Sequence, residues 1–192
     1  MQDNLARKKK YHTFEDYLSW DDGQRWELVD GQAYAMAAPS PEHQRISGIL
    51  HHRMFSYFAG KTCEVFAAPF GVRLFLDKKW HEKEAVFQPD LTVVCDPSQL
   101  DEHGCNGAPT LVVEILSIST SSFDCIVKLN RYKKAGVREY WIVDPDNKIV
   151  HRCMLQEEHD EPTVFRFDDM LTSKIFPGLE IALSDIFPTT EG

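Results

Sequence analysis

The sequence contains no apolar run approaching the length of a membrane-spanning helix, about 18 residues or more, so no such helix is expected. No apolar stretch follows the basic cluster near Met1, so no signal peptide is expected and the chain is read as soluble and cytoplasmic. Cysteine is sparse and shows no pairing pattern: Cys63, Cys95, Cys105, Cys125 and Cys153 are odd in number, with no Cys-x-x-Cys. A disulfide framework is therefore excluded as the basis of the fold, and reduced thiols are expected. The nearest approach to a metal cluster, Cys95 with His103 and Cys105, has the spacing of no zinc site. Basic residues are outnumbered 30 to 21, and the net charge of −9 argues against a sequence-independent coat on nucleic acid. Internal repeats, low-complexity tracts and long linkers are missing as well.

The composition that remains is globular. With 43% hydrophobic and 27% charged residues, wholesale disorder is excluded, and 192 residues suit one domain. Residues 1–12 read as a flexible basic leader and 13–188 as a single domain. A short helix is expected over 13–20, with Thr13 as N-cap and Asp16 at capping-box distance. Residues 25–36 alternate around Asp30-Gly31, a dipeptide suited to a tight hairpin turn. Ser40-Pro41-Glu42 starts a helix, and Ile46, Leu50, Met54 and Phe58 keep helical spacing up to Gly60. Strands are expected at 64–67, 72–76, 88–94 and 111–116, with a loop over 96–109. A second helix fits 122–135, followed by strands at 139–143, 148–155 and 164–167, while 179–187 has no clear assignment. The class is mixed α/β (α+β), a largely antiparallel sheet flanked by helices.

Two carboxylates stand where the pattern is otherwise apolar. Glu114 lies inside Leu111-Val112-Val113-Glu114-Ile115-Leu116, a run typical of a strand covered on both faces. A carboxylate there costs several kcal/mol, roughly, unless it is paired or bound to a cation. Asp90 follows Pro89 at the start of a similar run. Each acid alone suits a salt bridge or a turn cap; together they suit one hard cation such as Mg²⁺. Lys128 follows Glu114 by fourteen residues on the second helix, near enough in a strand–turn–helix unit to reach back over it. Alternatively it forms a surface ion pair with Asp124. Between residues 125 and 138 the charges are all basic, Lys128, Arg131, Lys133, Lys134 and Arg138, giving either a solvated face or a local anion-binding one. Glu27, between Trp26 and Leu28, is either exposed or a third acid at the same site. His43, in the first turn of its helix, is more often a surface or core residue than a catalyst.

In order along the chain, these residues resemble the PD-(D/E)XK nuclease signature, and more closely the restriction endonuclease-like family of bacteria that is abundant in cyanobacteria. The shared stretches are Glu27 to Gly31, Ser40-Pro41 with His43, Pro89-Asp90-Leu91, Val113 to Ser117 with Ser119-Thr120, Asp124 with Lys128 and Tyr132, and Ala135 to Pro145. The resemblance implies a restriction endonuclease-like core. It implies Mg²⁺, with Mn²⁺ as substitute, held by Asp90, Glu114 and the backbone carbonyl of Ile115, with Glu27 as the additional acid. Leu116 stands where the usual motif has its lysine, so Lys128 would supply the ammonium from the helix. Ile118 stands where the family often has proline.

The function that follows is a Mg²⁺-dependent endonuclease hydrolysing DNA phosphodiester bonds. Lys128 would orient or help deprotonate the attacking water, and Tyr132, Arg131 and His43 are the candidates for substrate contact. Tyr132 is as readily explained by packing on the sheet. Double-strand cleavage would call for a homodimer, and specificity would lie in loops such as 77–84. The competing readings are a silent nuclease-like binding or assembly module, and a metal-dependent hydrolase of RNA or a small phosphoester.

Overall fold

The computed structural model describes residues 11–75, 84–117, 122–157 and 161–187, with 122–125 described through the backbone alone. Most of the expected leader, residues 77–83 of the specificity loop, Ile118, Ser119, Thr120 and the Asp124 side chain lie outside the described residues. Among the described residues no helix is long and apolar enough to cross a membrane.

Local signals near the N-terminus act as expected. α1 (Phe14–Leu18) begins with a complete capping box: Asp16 N–H donates to Thr13 Oγ1, and Thr13 N–H to the Asp16 carboxylate. β1 (Trp26–Val29) and β2 (Gln32–Ala35) form a hairpin whose turn residues, Asp30 and Gly31, have φ of 54° and 76°. Positive φ at both positions matches the right-handed twist of the strands. Ser40 caps α2 (Pro41–Phe58) by accepting from His43 N–H at 3.1 Å. Ile46, Leu50, Met54 and Phe58 are buried along one stripe of that helix.

The middle of the chain departs from a one-sheet reading. β3 (Glu64–Ala67) is followed by β4 (Val72–Leu74), which stops early because Phe75 takes φ 62°. The strand expected over 88–94 is instead β5 (Ala85–Phe87), a corner at Pro89-Asp90, and β6 (Leu91–Val94). Proline has no N–H for a ladder, and at this corner the chain leaves one sheet for the other. The expected loop 96–109 holds a 3-10 turn (Pro97–Gln99) and two short strands, β7 (Leu100–Asp101) and β8 (Gly104–Asn106). These pack tightly on the loop before β4: a Cβ at Gly104 would come within 2.2 Å of the Gly71 carbonyl oxygen.

β9 (Leu111–Ile115), α3 (Ser122–Ala135) and β10 (Glu139–Asp144) follow, then β11 (Ile149–Met154) and β12 (Thr163–Arg166). The C-terminal part forms β13 (Met170–Thr172), β14 (Glu180–Ala182) and the single turn α4 (Leu183–Ile186). One six-stranded sheet has the order β2-β1-β5-β4-β8-β7, the other β12-β11-β10-β9-β6-β3, and β13-β14 pair separately. Most pairs are antiparallel; β4 with β8 and β9 with β10 are parallel, and α3 is the crossover between β9 and β10.

The second sheet is covered on both faces, which explains its continuous apolar runs. Leu111, Val113 and Ile115 face α2 and the C-terminal hairpin, whereas Val112 faces α3 and the first sheet. By the period of two, Glu114 follows Val112 toward α3. Glu139, expected only as the start of a buried strand, is fully buried. Its carboxylate accepts from Trp141 Nε1 at 2.6 Å, Ser173 Oγ and Lys174 N at 3.0 Å, and Ile175 N at 3.1 Å.

The expectation of reduced thiols throughout is overturned at one pair. Cys63 and Cys95 are disulfide-bonded, while Cys105 and Cys153 are buried thiols. The cause is register: Glu64 pairs with Val94 across β3 and β6, so the flanking cysteines stand opposite one another although 32 residues apart in sequence.

Candidate active site

Each element brings one functional group to the junction of the two sheets. β1 pairs with β5 through Leu28 and Val86, which lays Glu27 beside Gln88. Glu27 is 7% exposed, and its Oε1 accepts from Gln88 N–H at 2.9 Å. Gln88 is itself fixed by Arg25, by Tyr17 and by the Trp26 carbonyl. Asp90 sits on the corner between β5 and β6. The pairing of Leu91 with Val113 places it across from Glu114, and its Oδ2 accepts from Ile115 N–H at 2.7 Å.

The crossover α3 returns over β9 and brings Lys128 back to Glu114. Its Nζ lies 2.9 Å from Glu27 Oε1 and 3.1 Å from Glu114 Oε1, and the residue is 9% exposed. Lys128 is thus buried between carboxylates and is not on a solvated helix face. One turn later, Tyr132 donates its hydroxyl to the same Glu114 oxygen at 3.0 Å. The Tyr132 ring is fully buried against Phe87 and Tyr140, so packing and the hydrogen bond coexist. His43 Nε2 approaches Asp90 Oδ1 at 3.3 Å, and its Nδ1 has no hydrogen-bond partner among the described residues. Arg131 points its guanidinium to Asp30 in the hairpin turn and over the Phe75 ring. Of the residues expected at the site, Glu27, Asp90, Glu114, Ile115, Lys128, Tyr132 and His43 come together, whereas Arg131 is engaged at the hairpin.

Two carboxylates thus flank one ammonium, and the charge of a third, Asp90, acts on Glu114. Burial pushes the Glu114 carboxyl up from 4.5 to about 7; Lys128 opposes this, and the charges of Glu27 and Asp90 add to it. For Lys128, burial alone would favour the neutral amine, but Glu114 and Glu27 outweigh it and hold the pKa above that of a free lysine. His43 is raised, first by its hydrogen bond to Asp90, against burial, and further by the charge of Asp90 and the Ile115 carbonyl.

The group borders a cleft of about 580 Å³ between the hairpin and α2. Among the described residues no three His, Cys, Asp or Glu side chains are placed to hold a metal ion by themselves. The oxygens on hand are two carboxylates and a carbonyl. Sequence reasoning missed Gln88 and the cleft wall formed by Tyr34, Ser47 and His51. The i, i+4, i+8 spacing of His43, Ser47 and His51 was the available signal.

Comparison with known proteins agrees with this architecture. The crystal structure of "a putative nuclease belonging to DUF820" from Anabaena variabilis superposes with a TM-score of 0.74 at 22% identity, covering 91% of this chain and 97% of that one, so the fold is shared. The uncharacterised protein slr1290 of Synechocystis sp. is 33% identical over 112 residues, a match spanning 57% of this chain but only 56% of that relative's length. A second uncharacterised Synechocystis protein, sll1609, is 24% identical over 140 residues, covering 70% of this chain and 76% of its own. The model of the Uma2 family, described as "Putative restriction endonuclease", matches residues 14–184, and the chain belongs to that family.

Proposed function

We propose that the chain is a Mg²⁺-dependent endonuclease that hydrolyses DNA phosphodiester bonds, with residues 13–188 as its single domain and the cytoplasm as its compartment. The observation that carries this reading is the Lys128 ammonium, held between Glu27 and Glu114 beside an open cleft. A buried ion pair is a poor device for stability alone, because desolvation offsets most of its attraction.

Restriction endonuclease-like proteins generally use divalent metal ions. Asp90, Glu114 and the Ile115 carbonyl would hold Mg²⁺, or Mn²⁺ in its place. The donor set suits such an ion: three hard oxygens leave coordination positions for water and phosphate. The described hydrogen bonds to Glu114 both end on Oε1, so Oε2 is the oxygen that would serve the cation. Bound there, the cation would supply positive charge to the scissile phosphate and lower the pKa of a water.

The chain's own residues do the rest. Glu27 and Glu114 favour the charged form of Lys128, which would orient the attacking water and stabilise phosphate charge. Glu27 positions Lys128, and Tyr132 positions Glu114. Arg131 reaches substrate only by leaving Asp30. Cutting both strands of a duplex would take two copies of the site, hence a symmetric homodimer.

The test is calorimetric titration of Mg²⁺ or Mn²⁺ into wild type and Asp90→Ala, with plasmid cleavage on the same samples. Binding lost in the variant, with metal-dependent nicking by wild type alone, is the expected result. Metal binding without nicking would move the substrate to RNA or a small phosphoester. Cleavage undiminished in Asp90→Ala and Glu114→Ala would remove this site from the chemistry, and absence of both binding and cleavage would leave a binding module.

A further inference from the structure

The cleft beside the carboxylates has two unlike walls. α2 contributes His43, Ser47 and His51, which repeat every four residues and so form one polar stripe leading away from Asp90. Gly48 borders the same space, and a Cβ built on it would meet nothing within 4 Å. The other wall is β2 and the connection after it, with Tyr34, Met36 and Ala38. β2 is an edge strand, and Tyr34 is 48% exposed on it, its hydroxyl 3.3 Å from Gln32 Oε1.

Charge does not select the occupant of this cleft, because single strands and duplexes both present phosphates; its shape and its aromatic wall do. Phosphate backbones are held mainly by lysine and arginine. Among the described lining residues those cations are Arg25 and Lys128, and each is engaged inside the protein, by Gln88 and by Glu27 with Glu114. A volume of about 580 Å³ lies within the range of pockets that enclose a drug-sized molecule, roughly 300–1,000 Å³, which is the scale of a nucleotide. An exposed aromatic ring on one wall and a polar stripe on the other suit a base on its face and a sugar–phosphate along its edge.

Resting on the nuclease reading above, we infer that this cleft receives an unpaired nucleotide of single-stranded DNA next to the scissile phosphate, its base on the Tyr34 ring and its sugar–phosphate along Ser47 and His51. Base stacking on one aromatic side chain changes affinity by about tenfold or more and tolerates every base.

The test is fluorescence anisotropy on the full chain with labelled single-stranded and duplex DNA of equal length. Ca²⁺ replaces Mg²⁺ to hold the substrate without cutting, and cleavage of both forms is followed separately with Mg²⁺. The single strand should bind about tenfold tighter than the duplex. Tyr34→Ala should lose about tenfold on the single strand, and Tyr34→Phe should keep it. Equal affinity for both forms, or a single strand indifferent to Tyr34→Ala, overturns the inference. If the duplex is then cut by wild type and not by Asp90→Ala, the nuclease reading survives that outcome. Failure to bind or cut either form overturns both.

Discussion

Glu114 and Glu139 stand on neighbouring parallel strands, and both carry a carboxylate into the interior, but folding treats them differently. Glu139 is met by four neutral donors: an indole N–H, a serine hydroxyl and two backbone N–H groups from residues 173–175. Those bonds tie the C-terminal segment to β10 and replace the water that the carboxylate gives up. Glu114 is met by Lys128 and Tyr132, and is at the same time crowded by Glu27 and Asp90. Folding satisfies the first carboxylate and leaves the second short of positive charge. Burial of an acid is therefore a weak mark of function. An acid whose balance the protein does not close by itself is a stronger one.

The largest effect on stability should come from Lys128→Met. Removing the ammonium leaves Glu27 and Glu114 facing one another with no counter-charge, a loss of about 3–5 kcal/mol by the usual cost of breaking a buried pair. Denaturant unfolding measures it, and DNA cleavage should vanish with it. Glu139→Ala should follow, at about 3 kcal/mol, because it orphans the Trp141 and Ser173 donors and two N–H groups in the interior. That variant should still cut DNA when folded. Glu114→Gln should do the reverse: stability within about 1 kcal/mol of wild type, with cleavage down at least about a thousandfold. A Glu114→Gln protein less stable than Glu139→Ala would break the contrast.

The same contrast shows what a sequence can reveal. Local signals were legible: the Thr13 capping box, the Asp30-Gly31 turn, the Ser40-Pro41 helix start and the buried stripe of α2 all appear where spacing predicts them. So was the anomaly of Glu114 in an apolar run, because the cost of burying a charge is a local fact. What depended on register was hidden. The division into two sheets, the Cys63–Cys95 bond and the partners of Glu139 are set by which strands become neighbours. Glu139 follows Arg138 at the edge of an apolar run and carries no local mark, since three of its four donors come from residues more than thirty positions away. Arg131 reads as a free cation on a basic helix and is held by Asp30, again a partner distant in sequence.

The smallest effect, and the one that most sharpens the comparison, is the response of stability to pH. The Glu114 carboxyl is raised from 4.5 to about 7, so the folded chain binds that proton more readily than the unfolded one. Its contribution to stability is then complete below about pH 4.5 and is lost as the pH rises through about 7. His43 acts in the same sense: its raised pKa stabilises the fold below its ordinary 6.5, and this is lost as the pH rises through the raised value. Lys128, also raised, loses its contribution only in strongly alkaline solution, and the lowered Asp96 and Asp101 matter only in acid. Without metal, the thermal midpoint of wild type should therefore decline between about pH 5 and 8, and Glu114→Gln should flatten part of that decline. With Mg²⁺ the sense reverses, because a ligand carboxylate must be ionised to hold the cation. The midpoint shift caused by Mg²⁺ should be larger at pH 8 than at pH 6, and Glu139→Gln should retain it while Glu114→Gln loses it. A Mg²⁺ shift that is the same at both pH values, or that survives Glu114→Gln, would mean that the unmet charge at this site belongs to some other group.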